Sequence, residues 1–244
     1  MEGEIRDGIP RLGIRAGPID PHIPVASRTD RGVSARANVL ALESPLAPAA
    51  LLRALNGIAP EIHFTAAGAL EPTTRLRGAT RRTYRYYEPP GPHRPAVWRR
   101  AARSLIGEID VRSFGRGVAR TAPLRRTVDA IRVEEHEGGL CLEISGPSFV
   151  WNQVRKLVAA LRLVDAGRLS EARLAAAARG EVRLTLPLAE PERLLLWEVE
   201  LPIVWTTGWQ GPNRQQRAYL AARRAEAWTR ARVLRDLAIE PARP

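Results

Sequence analysis

With 244 residues, 45% of them hydrophobic, the chain has material for one large domain or two small ones with a proper core. A single cysteine, Cys141, excludes a disulfide framework and a thiolate metal site, and the best apolar run, "LVAALRLV" from Leu157, is too short to span a bilayer. A net charge of +12 places a nucleic acid ahead of a small molecule as partner. The acidic, polar start "MEGEIRDG" is no signal peptide, so a cytoplasmic protein without membrane attachment is expected. All basic residues except Lys156 are arginine, a skew that reflects composition more than function.

In chain order, "EGEIRDG" (2–8) predicts a short helix interrupted by Gly8 and Pro10. "HIPVAS" (22–27) and "ANVLALE" (37–43) read as strands on either side of a turn at Asp30. "PAALLRALNG" (48–57) has helical spacing and ends on Gly57, a helix stop signal. "IHFTAAGAL" (62–70) and "RRTYRYY" (81–87) read as strands, the second with Tyr84 and Tyr86 on one face and Thr83, Arg85 and Tyr87 on the other. The Pro/Gly-rich segment from Glu88 to Pro95 is the best internal boundary.

Beyond it, "PAVWRRAARSLIG" (95–107) is helical and "TVDAIRVEE" (127–135) is a strand. "LCLEI" (140–144) alternates cleanly, with Leu140, Leu142 and Ile144 on one face. "FVWNQVRKLVAALRLV" (149–164) is the strongest helix, striped by Val150, Val154, Leu157, Val158, Leu161 and Val164. Phe149 and Trp151 read as core, and Arg155 lies just off the apolar stripe. "EARLAAAARG" (171–180) is another helix, and "RLLLWEVEL" (193–201) closes the body as a strand. The Arg-rich tail is helical from Gln215 to Leu237, and its stripe of Leu220, Ala227, Ala231 and Leu234 favours packing on the body. The expected architecture is α+β, with mostly antiparallel sheet flanked by helices. Its expected parts are residues 1–91, 92–205 and a tail of 206–244.

No Gly-rich phosphate loop, HExxH or CxxC occurs, and the four histidines are scattered, so metal and nucleotide cofactors have no footing. What remains for chemistry is a carboxylate. Asp30 sits in "ASRTDRGVSAR" (26–36), with Arg28 and Arg31 beside it and Gly32 to let the backbone turn sharply. An isolated "TDRG" is usually only a turn. As a nucleophile or base, Asp30 must stay ionised while partly buried, which a neighbouring arginine ensures. Arg28, Arg31 and Arg155 are the candidate counter-charges.

Three segments in order carry more. "ASRTDRGVSA", "RRTYRYY" and "SFVWNQVRKLVAAL" resemble the motifs of the tRNA pseudouridine synthase TruA family, archaeal members above all. "HRPAVW" and "ARSLIGEIDVRSF" resemble the segments after the family's central linker, and the similarity runs from about Glu2 to Leu201. "TTGWQG" (206–211) resembles a piece that family members carry near their N-terminus, and its position here marks it as coincidence.

The resemblance implies a pseudouridine synthase fold of two pseudo-symmetric halves, acting as a homodimer on the tRNA anticodon stem-loop at positions 38 to 40. It implies that Asp30 is the catalytic residue and that Arg28 holds substrate or shapes its loop. Tyr84 would lie over the uracil, and Arg155 would pair with Asp30. The reaction needs no metal and no cofactor. Family members open with a further strand, which here would precede Met1, so an open reading frame beginning upstream is expected. The alternative is a tRNA-binding protein of the same fold with impaired catalysis.

Overall fold

Arg81–Glu88 alternates bulky residues between two faces, as a strand in the middle of a sheet must. The computed structural model describes residues 24–71, 74–117, 124–205 and 211–237, with side chains described as far as Leu234. Its elements are β1 (Ser34–Ala35), α1 (Pro48–Ile58), β2 (Arg81–Glu88), α2 (Pro95–Arg103), β3 (Gly107–Asp110), β4 (Arg125–Val128) and β5 (Ala130–His136). They continue with β6 (Gly139–Gly146), α3 (Gln153–Asp165), α4 (Glu171–Arg179), β7 (Leu194–Glu200) and α5 (Arg214–Leu237). Short 3-10 turns cover Leu76–Gly78 and Pro191–Arg193. The fold is α+β. The expected helix at residues 2–8 and the "TTGWQG" segment up to Gln210 lie outside the described residues.

Contacts divide the chain into two units. The larger holds residues 25–40 and 74–202, and the linker from Glu88 to Pro95 runs within it. Its five-stranded sheet has the order β1-β7-β2-β6-β5. All neighbours are antiparallel except β1 and β7, which run parallel. β3 and β4 form a separate antiparallel pair. The segment "TVDAIRVEE" therefore splits at Asp129: Val128 pairs with Gly107, while Ala130 pairs with Ser145.

Register puts Tyr84 opposite Ile144 and Tyr86 opposite Leu142, so the apolar faces of β2 and β6 coincide. Against that face pack Trp98 of α2 and Val154, Leu157, Val158, Leu161 and Val164 of α3, all in one buried cluster. Leu157 and Leu161 are fully buried, where truncation to alanine costs about 2–5 kcal/mol. α4 starts on Ser170, whose hydroxyl accepts the Arg173 N–H, and stops on left-handed Gly180.

Among the described residues, the two expected strands on either side of Asp30 show only isolated bridge positions, at Val25 paired with Leu40 and at Glu43. An amide does the work of a strand neighbour there. Asn38 donates its Nδ2–H to the Ser27 carbonyl at 2.8 Å and accepts the Ser27 N–H at 3.2 Å. In the smaller unit, which includes residues 41–73 and 203–244, the same device supports the stretch expected as a strand at 62–70, where the described residues show a bridge position only at Ala67. Asn56 of α1 donates to the Phe64 carbonyl and accepts its N–H, both at 2.9 Å, so both backbone groups of Phe64 are satisfied by a side chain.

α5 begins within the smaller unit, where Gln216 donates to Asn56 Oδ1 at 2.7 Å and to the Ile62 carbonyl at 3.0 Å. From Ala221 to Leu234 the helix is exposed, Trp228 by 70%. Beyond Leu220 the stripe expected to pack is exposed, and alanines at half its positions offer little apolar area for burial. No described helix is long and apolar enough to cross a membrane.

Candidate active site

One face of β2 builds the site, because Arg82, Tyr84, Tyr86 and Glu88 alternate onto it. All four are buried, and each must find polar partners from other segments. Arg82 donates to four backbone carbonyls: Ala26 at 2.8 Å, Arg77 at 3.0 Å, Ala79 at 3.3 Å, and Pro147. It so ties the segment before Asp30 to the loop before α3. Burial lowers its guanidinium below the ordinary arginine value, with Tyr84 acting the other way.

Tyr84 shares a 2.9 Å hydrogen bond with the Ser27 hydroxyl, and its ring meets Phe149 edge to face at 5.6 Å. Burial pushes its phenol above the ordinary range and nearby Asp30 adds to this, while the Ser27 hydrogen bond and Arg82 oppose it. The hydroxyl is therefore neutral at pH 7, and the side chain is only 8% exposed.

Tyr86 and Glu88 reach the other side of the site. Tyr86 donates to Glu190 Oε2 at 2.9 Å, and Arg162 of α3 donates to the Tyr86 hydroxyl at 2.9 Å and to both Glu88 oxygens. Arg162 also pairs with Glu190 at 2.7 Å. This network fixes the turn from Ala189 to Arg193, and that turn meets the site twice. The Ala189 carbonyl accepts Arg155 Nε at 2.7 Å. Pro191 and Glu192 lie so close to Gly32 that a Cβ there would stand 3.1 and 2.9 Å from their side chains.

Between these supports lies Asp30. The Val33 N–H closes a turn on the Asp30 carbonyl at 3.1 Å, and Gly32 holds the φ of +92° that the turn needs. Asp30 Oδ2 accepts Arg155 Nη1 at 2.7 Å, and Oδ1 accepts the indole N–H of Trp151 at 3.0 Å. Both members of the ion pair are largely but not fully covered, at 13% and 25% side-chain exposure. Arg155 arrives because Asn152 takes a left-handed φ of 66° and starts α3 there, not at Phe149. The carboxyl group is thus paired and aimed, with one lone pair on each oxygen left for a substrate.

Of the three candidate counter-charges only Arg155 reaches Asp30. Arg28 and Arg31 are exposed, and among the described residues neither makes an ion pair with it. Trp151 is a correction: expected in the core, it is 56% exposed and bonded to Asp30. Its spacing is a signal: in the helix expected from Phe149, residues 151 and 155 stand one turn apart, off the apolar stripe. Arg82 was missed as well, although strand alternation puts it on the same inward face as Tyr84. No group of three His, Cys, Asp or Glu suited to a metal ion occurs among the described residues.

Comparison with known proteins agrees in kind. A family model described as tRNA pseudouridine synthase matches residues 101–202, a span that contains Trp151 and Arg155 but not Asp30. The chain is 31% identical over 242 residues to a tRNA pseudouridine synthase A of Thermococcus kodakarensis, covering 98% of this chain and 90% of that protein. It is 32% identical over 240 residues to that of Thermococcus onnurineus, covering 97% and 89%. With that of Methanosphaerula palustris it shares 30% over 236 residues, covering 96% and 82%.

Proposed function

We propose, from the premise that this chain belongs to the tRNA pseudouridine synthase A family, whose members are RNA uridine isomerases, that Asp30 is its catalytic carboxylate. The observation that carries this reading is the 2.7 Å pair of Asp30 with Arg155, in a site built by three separate segments around one carboxylate. Isomerisation breaks the bond between C1′ of the ribose and N1 of uracil and forms one from C1′ to C5. A proton leaves C5 and N1 gains one, so atoms and electrons balance without a co-reactant.

Asp30, paired with Arg155, acts as the nucleophile or base on the ribose–base unit. Tyr84 contributes a fixed wall against the uracil, since Ser27 and Phe149 already hold its hydroxyl and ring. Arg28, exposed on the same loop, is free to take a substrate phosphate. The target uridine must leave its stack, at about a few kcal/mol, which basic and aromatic contacts offset.

Family resemblance adds the finer reading: two pseudo-symmetric halves, a homodimer, and action in the anticodon stem-loop at positions 38 to 40. Incubating tRNA with the protein and measuring pseudouridine by mass spectrometry tests it. Asp30→Asn should abolish turnover while tRNA affinity stays within about a few-fold. Wild-type rates in that variant would remove Asp30 from the mechanism. Tight tRNA binding by the unaltered protein with no pseudouridine formed would favour a binding protein of the same fold.

A further inference from the structure

Trp151 sits where a large apolar ring has no structural reason to be. It is 56% exposed, yet it is held from three sides. Its indole N–H donates to Asp30 Oδ1 at 3.0 Å. Its backbone carbonyl accepts the Arg116 N–H at 2.9 Å. The Arg116 guanidinium lies over the indole, 4.6 Å from the ring centroid. Lys156, one turn into α3, secures the same segment by donating to the Gly115 carbonyl at 3.0 Å. Burial and the charge of Arg116 lower the Lys156 ammonium. An exposed ring that is fixed in plane, backed by a cation and bonded at its edge to a catalytic carboxylate has the properties of a binding surface. The Arg116 guanidinium has no hydrogen-bonded partner among the described residues.

We propose that Trp151, backed by Arg116, is a stacking platform for the RNA nucleotide next to the target uridine, and that its N–H is the second donor that aims Asp30. The proposal rests on the reading of Asp30 as the catalytic residue. A base stacks on a flat indole without regard to its identity, and a phosphate of the same strand suits the guanidinium behind it. Because the ring is tied to Asp30 by its edge, a nucleotide on its face adjoins the one whose C1′ Asp30 addresses. The two functions are separable. The N–H acts on the carboxylate and so on kcat, whereas the ring acts on RNA and so on KM; toward Asp30, Trp151 is a positioning residue.

Steady-state kinetics on unmodified tRNA with three variants tests this. Trp151→Phe keeps a ring and loses the N–H, and should lower kcat about ten-fold with little change in KM. Trp151→Ala loses both, and should raise KM by a further factor of about ten. Arg116→Ala should raise KM and reduce the slope of log affinity against log salt by about one. The ring is exposed, so the melting temperature of Trp151→Ala should stay within about 2 °C of wild type. Wild-type kcat in the Phe variant together with wild-type KM in the Ala variant would overturn the proposal. A large loss of melting temperature would do the same, by making the ring structural. Binding in the Asp30→Asn background separates this from the reading beneath it. There Trp151→Ala should still weaken tRNA binding about ten-fold, whereas turnover by Asp30→Asn itself would discard the catalytic reading instead.

Discussion

Arg82→Met should destabilise the protein and silence the site without touching Asp30. Methionine has nearly the length of arginine and no donors, so the change leaves four carbonyls without their partner. The bonds to Ala26 and Ala79 are buried, and those to Arg77 and Pro147 are partly so. A buried acceptor left unpaired costs about 1–3 kcal/mol, which for the two buried ones gives about 2–6 kcal/mol. Relief from burying a charge and rehydration of the outer carbonyls take some of that back. A net loss of about 2–4 kcal/mol is expected, a large share of the usual 5–15 kcal/mol. Urea unfolding should show a lower midpoint at unchanged slope, and kcat should fall because the segment before Asp30 loses its tie. Arg82→Lys, with three donors on a shorter reach, should recover less than half of the stability. A methionine variant within about 1 kcal/mol of wild type at full turnover would refute the role of Arg82.

Gly32→Ala places a side chain at a φ of +92° and its Cβ against Pro191, so a loss of about 1–2 kcal/mol is expected together with a larger loss of kcat, read by melting and by tRNA turnover. Burial alone would raise the Glu190 carboxyl, but its backbone N–H, Arg162 and Tyr86 hold it down to about 2. Its contribution is therefore complete above the ordinary glutamate value of 4.5 and is lost as pH falls from there through about 2. Acid unfolding should lose that component in Glu190→Gln, and superimposable curves would reject it. In α5, Trp228→Ser and Leu234→Ser should each change stability by less than about 0.5 kcal/mol in thermal melts, whereas Gln216→Ala should cost about 1–3 kcal/mol.

Where period and burial agree, the elements were readable from the residues. β2, β6 and α3 each put their apolar side chains on one face, and those faces meet in one core. The strands expected around Asp30 and at 62–70 show only isolated bridge positions among the described residues, for a different reason. Apolar alternation marks a backbone that is extended and half covered, but it does not say what accepts that backbone's hydrogen bonds. At Ser27 and Phe64 a side-chain amide does so, from Asn38 and Asn56. An asparagine eleven residues downstream or eight upstream carries no mark of that use in the sequence. The helix expected from Phe149 shows the reverse failure. Its period extends back to Val150, yet Asn152 adopts a left-handed conformation and the regular turns begin only at Gln153.

The same limit governs the site. Asp30 and Arg155 were legible only through the resemblance of their two segments to the family motifs, since a lone "TDRG" reads as a turn and an arginine off an apolar stripe reads as a solvated flank. Arg82 and Trp151 were illegible because each breaks the usual rule of its residue type, a cation buried and an indole exposed. Both exceptions trace to Asp30. In its proposed catalytic role the carboxyl group must stay reachable and cannot be sealed in the core, so the segment bearing it is a loop, and that loop needs a tie from below and a donor from the open side. Arg82 supplies the first through the Ala26 carbonyl, and Trp151 supplies the second through Oδ1. Arginine suits the lower position because it presents five donors to carbonyls that no backbone ladder reaches. Tryptophan suits the upper one because it donates without adding a charge that would compete with Arg155 for the carboxylate, and its exposed ring is the surface proposed to stack on RNA.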